Sequence, residues 1–229
     1  MPLDPNAPTE ITGFDNVPPF ARGKVRDLRI RWALEEIGRS YHARLFDAFQ
    51  PRPDEYYAWQ PFGQVPAFDD GRVRLFESGA ILLYLGEQDE RLLPKGGEAR
   101  WSATSWAIAA LNSIEPIIMT LVFVEVFNAD KPWSKQARLD LVGLVEQRLK
   151  LLADALGDKE WLAGRFTIAD ILMVTVLRNL SGDKVIAAFP NLIAYRERGE
   201  ARPAFVRALD AQCAAFSNSD RSPAAGAGS

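Results

Sequence analysis

The period of the hydrophobic pattern changes near residue 90, and this change constrains the fold more than any other feature of the sequence. Up to Gly86, short β-prone runs alternate with helical spacing, whereas beyond Trp101 the apolar residues recur at intervals of three and four. The 229 residues are enough for two modest domains. We therefore predict a mixed α/β domain followed by an all-helical domain.

The first domain is predicted to contain a βαβ unit followed by a ββα unit. The segments of the βαβ unit are Glu10–Phe14, Asp27–Ile37 and Tyr41–Phe49, with Gly38 as a left-handed helix terminator. Those of the ββα unit are Gln64–Phe68, Val73–Phe76 and Gly79–Gly86, with an Asp-Gly turn between the strands. Three prolines in residues 50–63 predict an irregular, exposed connection between the two units.

The second domain is predicted to contain helices only. Their segments are Trp101–Asn128, irregular near Pro116, then Ser134–Leu156, Thr167–Leu180, Asn191–Arg198 and Pro203–Phe216. We assign residues 10–88 to the first domain, 89–99 to a glycine- and proline-containing linker, 100–216 to the helical domain and 217–229 to a disordered tail.

The chain has one cysteine, Cys213, and one histidine, His42, and these counts exclude several kinds of site. An internal disulfide and a zinc site of the usual cysteine and histidine type are impossible. A nucleophile activated by histidine would have to use His42, which we interpret instead as a partly exposed strand residue. Cys213 is expected to be a small buried hydrophobic residue.

Charge and hydropathy point to a soluble, cytoplasmic protein. The net charge of -3 leaves no basic surplus for nucleic acid. Residues 1–12 lack an apolar signal core, and we find no stretch close to the 18 or so apolar residues of a membrane span. Neither a membrane nor a metal is expected as a partner.

The segment Gly164–Ile171 contains a helix start signal. Thr167 and Asp170 have the spacing of a capping box, and Phe166 and Ile171 have that of a hydrophobic staple. We predict a structural role, in which loss of the cap costs about 1 kcal/mol.

The residues at the open end of the predicted hairpin, where its two strands begin and end, form a candidate ligand site. A cis bond before Pro66 would turn the backbone of Val65 outward for pairing with an extended ligand. Glu77 could pair with an ammonium, and Ser78 at a helix N-terminus could bind a carboxylate. A ligand with an α-amino acid at one end fits. The alternative is that Pro66 only begins an edge strand and Ser78 only caps a helix.

Three separated segments resemble the hallmark segments of cytosolic glutathione transferases in order and spacing. They are Gln64–Phe68, Phe76–Leu85 and Gly164–Ile171, and Arg31–Gly38 resembles the first helix of that family. The resemblance spans roughly residues 11 to 216. It implies a thioredoxin-like α/β N-terminal domain, an all-α C-terminal domain, a homodimer and glutathione as co-substrate.

The resemblance also implies roles for individual residues. Val65, beside a cis-Pro66, would pair with the cysteinyl part of glutathione, Glu77 and Ser78 would hold the γ-glutamyl end, and Gln64 would lie toward the peptide. The co-substrate pocket would contain Phe20, Trp106, Met119 and Phe123. An ordinary core role is the alternative for the last three.

The usual catalytic residue is missing. Glutathione transferases place a tyrosine, serine or cysteine between the first strand and the first helix, but Gly13–Arg39 contains none of these. A thiol must lose its proton to react, and a cation lowers its pKa. We therefore expect Arg26 and the N-terminus of the first helix to stabilise the thiolate, helped by Arg22 or Lys24. Arg22, Lys24, Arg26, Arg29 and Arg31 form a basic run that would attract anionic glutathione, and a solvated basic face is the alternative for all of them except Arg26.

Two functions remain open from the sequence. The first is a glutathione transferase that adds the thiol to a small hydrophobic electrophile or uses it to reduce a peroxide. The second is a non-catalytic module of the same fold that binds ligands or proteins. Absence of the hydroxyl favours the module, and retention of the glutathione-binding residues favours the enzyme.

Overall fold

The computed structural model describes residues 3–180, 182 and 184–217. Two compact units divide the chain: one contains the described residues up to Leu82 and those from Pro203 onward, and the other contains Leu83–Arg202.

The first unit is built on a four-stranded mixed sheet. Its strands are β1 (Glu10–Asn16), β2 (His42–Asp47), β3 (Ala67–Asp69) and β4 (Arg74–Phe76). The order is β2-β1-β3-β4, with β1 parallel to β2 and β3 antiparallel to both of its neighbours.

Helices follow in chain order. They are α1 (Asp27–Ile37), α2 (Asp54–Tyr57), α3 (Ser78–Gln88), α4 (Gly97–Ala109), α5 (Glu115–Val122), α6 (Ser134–Leu156), α7 (Ile168–Leu177), α8 (Lys184–Ala187), α9 (Pro190–Glu200) and α10 (Pro203–Ser217). The βαβαββα order and the helices after it confirm the predicted fold class, a thioredoxin-like domain and an all-α domain.

The bounds of α1 are those predicted. Gly38 adopts φ of 68°, and this left-handed residue ends the helix as expected. Nearly the whole helix is buried, because α10 packs against it within the first unit. The ring centroids of Trp32 and Phe205 are 4.9 Å apart in an edge-to-face arrangement, and Glu35 accepts a hydrogen bond from Arg207 at 2.7 Å.

The structural division of the chain therefore differs from the predicted one. Helix α10 was assigned to the helical domain, but it belongs to the first unit, where its side chains complete the environment of α1. The predicted tail, apart from Ser217 at the end of α10, lies outside the described residues.

One helical run extends from Gly97 to Phe127, and two π-helical segments, Ala110–Ile114 and Phe123–Phe127, interrupt its α-helical geometry. Pro116 is in the first turn of α5, directly after the first π segment, which confirms the predicted irregularity there. The second π segment had no signal in the sequence.

By length and composition, the run Gly97–Phe127 qualifies as a candidate membrane span, contrary to our expectation of no such stretch. Asn112, Glu115 and Pro116 break the apolar sequence but leave an 18-residue window with mean hydropathy 1.9, of which 39% is buried inside the protein. Core helices of soluble proteins pass the same test of length and composition, so the run is weak evidence for a membrane.

Four further expectations need correction. Residues 50–63 are not wholly irregular and exposed, because they contain α2 and bury Tyr56 and Gln60. Cys213 is exposed rather than buried. The predicted linker buries Leu92 and Leu93, and the Leu92 carbonyl accepts a hydrogen bond from Ile168 N–H. The short α8 was not predicted.

Candidate functional site

The loop before β3 presents a length of unpaired backbone. The Val65-Pro66 peptide bond is cis, as the sequence predicted. Val65 makes no hydrogen bond to any residue in the described part of the chain, so its N–H and C=O are both available. An extended peptide that adds to a sheet edge needs a free N–H donor and a free C=O acceptor on the same residue of that edge.

A chain of hydrogen bonds holds this loop on both sides of the cis bond. The Tyr56 hydroxyl donates to the Gln64 carbonyl at 2.6 Å and accepts from the Thr12 hydroxyl at 2.8 Å. Thr12 Oγ1 in turn accepts from Ala67 N–H at 2.7 Å. Burial raises the pKa of Tyr56, which keeps its hydroxyl protonated and able to donate.

The other half of the site lies at the same end of the hairpin. Ala67 pairs with Phe76 in the antiparallel β3-β4 ladder. Pro66, which precedes β3, and Glu77, which follows β4, therefore lie beside each other at the ends of strands spaced about 4.8 Å apart. Glu77 has φ of 68°, a left-handed conformation that is rare for a residue with a side chain. Its carboxylate is exposed and has no hydrogen bond to a described residue.

Ser78 is the first residue of α3, and its side chain is buried beside a guanidinium. Arg29 Nη1 donates to Ser78 Oγ at 3.1 Å, and Arg29 is only 2% exposed. The first N–H groups of a helix lack intrahelical partners and carry partial positive charge. Ser78, the start of α3 and Arg29 together form an environment that suits a carboxylate, and Glu77 next to them suits an ammonium.

The proposed catalytic cations lie near the start of α1. Arg26 is half-buried at the N-cap position of α1, whereas Arg22 and Lys24 are exposed. The sequence predicts one basic run that contains Arg29 and Arg31 as well, with a solvated face as the alternative. For Arg29 and Arg31 that alternative is wrong. Both are buried, because Arg29 binds Ser78 and Arg31 binds Asp27 at 2.7 Å.

The residues predicted for the co-substrate pocket have different environments. Phe20 and Phe123 are 40% and 53% exposed, and Met119 is half-buried. Trp106 lines a cavity of about 150 Å³ whose other walls come from α6 and the first π segment, including Leu151 and Ile114. Met119 and Phe123 are not among the residues that line this cavity.

The capping box at the start of α7 is present as predicted. Thr167 N–H donates to Asp170 Oδ2 at 2.9 Å, and the Thr167 hydroxyl accepts from Ala169 N–H. Asp170 also accepts from Leu162 N–H and from the Tyr195 hydroxyl. Burial raises the pKa of Asp170, and the hydrogen bonds that it accepts from Tyr195, Leu162 and Thr167 act in the opposite direction. This cluster has the structural role that the sequence indicated.

His42 begins β2 and is partly exposed, as predicted. Its Nδ1 atom is 2.8 Å from the Ala7 carbonyl, and its Nε2 atom is 3.0 Å from Glu10 Oε2. Both ring nitrogens are therefore occupied, which is a structural arrangement rather than that of a general base.

Comparison with known proteins agrees with this fold. Residues 20–87 match the family described as glutathione S-transferase, N-terminal domain, and residues 114–203 match the C-terminal domain of the same family. The glutathione S-transferase GstA of Escherichia coli O157:H7 is 35% identical over 179 residues, which are 71% of this chain and 85% of that protein. A glutathione S-transferase of Hyoscyamus muticus is 30% identical over 172 residues, 69% of this chain and 80% of that protein.

Solved structures give the same result. A glutathione transferase family member from Pseudomonas fluorescens pf-5, with two glutathione molecules bound, superposes with a TM-score of 0.78 at 28% identity, covering 88% of this chain and 92% of that one. A glutathione transferase from Burkholderia graminis, with two glutathione molecules bound per subunit, superposes with a TM-score of 0.78 at 29% identity, covering 88% of this chain and 87% of that one.

A thioredoxin-like domain with a free backbone segment beside a cis-proline, joined to an all-α domain, defines the class of glutathione-dependent two-domain proteins. The chain belongs to the glutathione S-transferase family.

Sequence reasoning missed three residues at this site. Thr12 and Tyr56 fix the loop, and Arg29 supports Ser78, but none belongs to a recognisable motif. Thr12 and Tyr56 are 44 residues apart, and Arg29 and Ser78 are 49 apart, so no local pattern links them.

Proposed function

We propose that this glutathione transferase binds glutathione along the Val65 backbone and activates its thiol for attack on a small hydrophobic electrophile or for reduction of a peroxide. The free N–H and C=O of Val65 beside the cis bond carry the proposal. The cysteinyl part of glutathione would pair with Val65, and the side chain of Gln64 would lie along the peptide.

The γ-glutamyl end of glutathione would lie at the start of α3. Glu77 would take the ammonium, and Ser78 with the first N–H groups of α3 would take the carboxylate. The guanidinium of Arg29 behind Ser78 supports this orientation, because a buried cation strengthens an anion site in a medium of low dielectric constant. The carboxylate of Glu77 is exposed and has no hydrogen bond or ion pair with a described residue, so it is available for a ligand.

Binding is tested by calorimetry with reduced glutathione. We expect saturable binding by the parent and at least about tenfold weaker binding by Ser78→Ala, because a hydrogen bond to a charged group is lost. Ser105→Ala, on the exposed face of α4, is the matched control and should bind like the parent. An absence of binding heat at millimolar glutathione would overturn the proposal.

Arg26 is the proposed group that stabilises the thiolate, with Arg22 and Lys24 adding positive potential. Its support is its place at the N-cap of α1, where the helix dipole also favours negative charge. Asp27 in the same turn does not cancel this effect, since Arg31 neutralises its carboxylate at 2.7 Å.

The pKa of bound glutathione, followed by thiolate absorbance, tests this role. Arg26→Ala should raise the thiol pKa by about one unit, equivalent to about 1.4 kcal/mol. Arg72→Ala, in the exposed β3-β4 turn, is the control and should leave the pKa unchanged. An Arg26→Ala protein with the parent's thiol pKa would remove Arg26 from the mechanism.

The electrophile would bind beside the thiol, with Phe20, Trp106, Met119 and Phe123 as the proposed lining. Turnover of 1-chloro-2,4-dinitrobenzene and of cumene hydroperoxide separates transferase from peroxidase activity. The second candidate, a non-catalytic binding module, is favoured by the absence of tyrosine, serine and cysteine from Gly13–Arg39. Glutathione binding without turnover of either substrate would select the module.

We also propose a cytoplasmic homodimer that takes part in detoxification. The helical unit exposes large apolar side chains, among them Trp101, Phe127 and Leu144, and exposed apolar surface of this kind is typical of subunit interfaces. Sedimentation equilibrium should give twice the 25.5 kDa chain mass, and a monomer at micromolar concentration would reject the dimer.

A further inference from the structure

Gln60, in the loop between α2 and the cis bond, is a buried amide that faces backbone donors. It is 2% exposed, and its Oε1 atom accepts hydrogen bonds from Phe62 N–H at 2.7 Å and from Gln64 N–H at 3.2 Å. Its main-chain carbonyl accepts from Gly63 N–H at 3.0 Å. Three consecutive N–H groups of the loop, those of residues 62, 63 and 64, are therefore bound by one residue.

Gln60 is itself attached to α2. Its N–H donates to the Tyr56 carbonyl at 2.7 Å, so the side chain that binds the loop amides has a fixed base. Its Nε2 atom makes no hydrogen bond to a residue in the described ranges. The hydrogen bonds of this side chain within the described chain are therefore all accepted by its oxygen.

Gly63 makes such a restraint necessary. It has φ of 63°, which is a left-handed conformation, and a glycine adopts φ of either sign about equally readily. The peptide group that joins Gly63 to Gln64 could therefore rotate if nothing held its N–H. The hydrogen bond from that N–H to Gln60 Oε1 fixes the rotation.

The next peptide group, which joins Gln64 to Val65, is held by its carbonyl. The Tyr56 hydroxyl donates to this carbonyl at 2.6 Å, and in a trans peptide group the N–H points opposite to the C=O. Two successive peptide groups before the cis bond are thus fixed by side chains, the first by Gln60 and the second by Tyr56. Together they determine the direction in which Val65 N–H points.

The amides that follow show where this support ends. Val65 N–H has no partner among the described residues, and Pro66 has no N–H. Ala67 N–H donates to Thr12 Oγ1 at 2.7 Å. The unbound donor of this loop is therefore flanked by bound ones. A loop that is already ordered loses less conformational entropy when its ligand binds, and it therefore binds the ligand more tightly.

We propose that Gln60 is a positioning residue for glutathione, which orders the loop through its Oε1 atom and so sets the direction of Val65 N–H. It acts through the main chain of Gln64 rather than through a contact of its own with the ligand. This role rests on the proposed function, because the ordered loop favours the binding of glutathione at Val65.

Calorimetric titration of the full chain with reduced glutathione tests this role. Gln60→Met keeps a side chain of similar length without the acceptor, and its Kd should be at least about tenfold higher than the parent's, since the loop must be ordered on binding. Gln60→Glu keeps an oxygen acceptor, and in about 0.5 M NaCl, which screens its new charge, its Kd should stay within about threefold of the parent's. Gln147→Met, on the exposed face of α6, is the matched control and should bind like the parent.

The stoichiometry of binding separates positioning from a merely structural role. If Gln60 only stabilised the fold, Gln60→Met would lower the fraction of binding-competent protein and leave the Kd of that fraction unchanged. A parent-like Kd for Gln60→Met would therefore overturn the proposal. An equal rise in Kd for Gln60→Met and Gln60→Glu would also overturn it, because the acceptor would then not be the cause.

Amide hydrogen exchange in the parent provides the test if Gln60→Met does not fold. Without glutathione, the amides of Phe62 and Gln64 should exchange at least about tenfold more slowly than that of Val65, because they are hydrogen-bonded. Exchange of all three at the same rate would overturn the role of Gln60 alone. Glutathione should then protect the Val65 amide, and a Val65 amide that stays unprotected would contradict the proposed function and, with it, the role of Gln60.

Discussion

Replacing Tyr56 by phenylalanine removes the middle member of the hydrogen-bond chain around the cis bond. The ring remains, so its packing against Phe46 at 4.7 Å is preserved. The Thr12 hydroxyl loses its acceptor and the Gln64 carbonyl loses its donor. At about 1 to 1.5 kcal/mol for each hydrogen bond, we expect the free energy of unfolding to fall by about 2 to 3 kcal/mol.

The same change should weaken glutathione binding more than catalysis. Gln64 and Val65 are the residues whose backbone position the Tyr56 hydroxyl fixes, so their displacement raises KM for glutathione. A loss of about 1.4 kcal/mol in binding corresponds to a tenfold increase in KM, and kcat should change far less because Arg26, the proposed thiolate-stabilising group, is not held by Tyr56.

Urea unfolding followed by tryptophan fluorescence measures the stability, and steady-state kinetics at varied glutathione concentration measures KM and kcat. Tyr57→Phe is the matched control, because Tyr57 is 43% exposed and makes no hydrogen bond to a described residue through its hydroxyl. Its unfolding free energy should stay within about 0.5 kcal/mol of the parent. Equal stability and equal KM for Tyr56→Phe and Tyr57→Phe would refute the reasoning.

Three further changes have expected outcomes. Thr167→Ala removes the α7 cap and should lower the unfolding free energy by about 1 kcal/mol, whereas an unchanged urea midpoint would contradict the capping role. Burial raises the pKa of Tyr41 to about 12 from 10.0, so the folded state keeps a proton that the unfolded state has lost, and stability falls as pH rises between these values. Tyr41→Phe should reduce the fall in unfolding free energy over this pH interval by up to about 3 kcal/mol. An unchanged dependence of the unfolding free energy on pH would contradict this expectation. Arg207→Ala leaves the carboxylate of Glu35, which is 4% exposed, without its guanidinium, and thermal unfolding should show a loss of about 2 kcal/mol.

Elements with local signals were predictable from the sequence. Helix α1 was predicted to the residue because its apolar spacing ends at a glycine that adopts the left-handed conformation. The β3-β4 hairpin followed from the Asp-Gly turn, and the start of α7 followed from its capping box. In each of these the decisive residues lie within a few positions of one another.

Residues whose role depends on distant partners were not predictable in this way. Arg29 and Arg31 belong to a run that alternates with apolar residues like a solvated basic face, yet both are buried. Tyr56 lies among prolines that indicate a loop, and only its partners in β1 and beside β3 show why it is buried. Gln212 and Asp27 are 185 residues apart, so the membership of α10 in the first unit had no local signal.

The return of α10 to the first unit has a consequence for biosynthesis. Residues 203–217 leave the ribosome only after all of the secondary structure that they cover has been translated. Until then the Trp32 ring and the carboxylates of Asp27 and Glu35 lack their partners from α10. A stop codon just before Pro203 would spare every strand of the sheet and still deprive the thioredoxin-like unit of part of its own core.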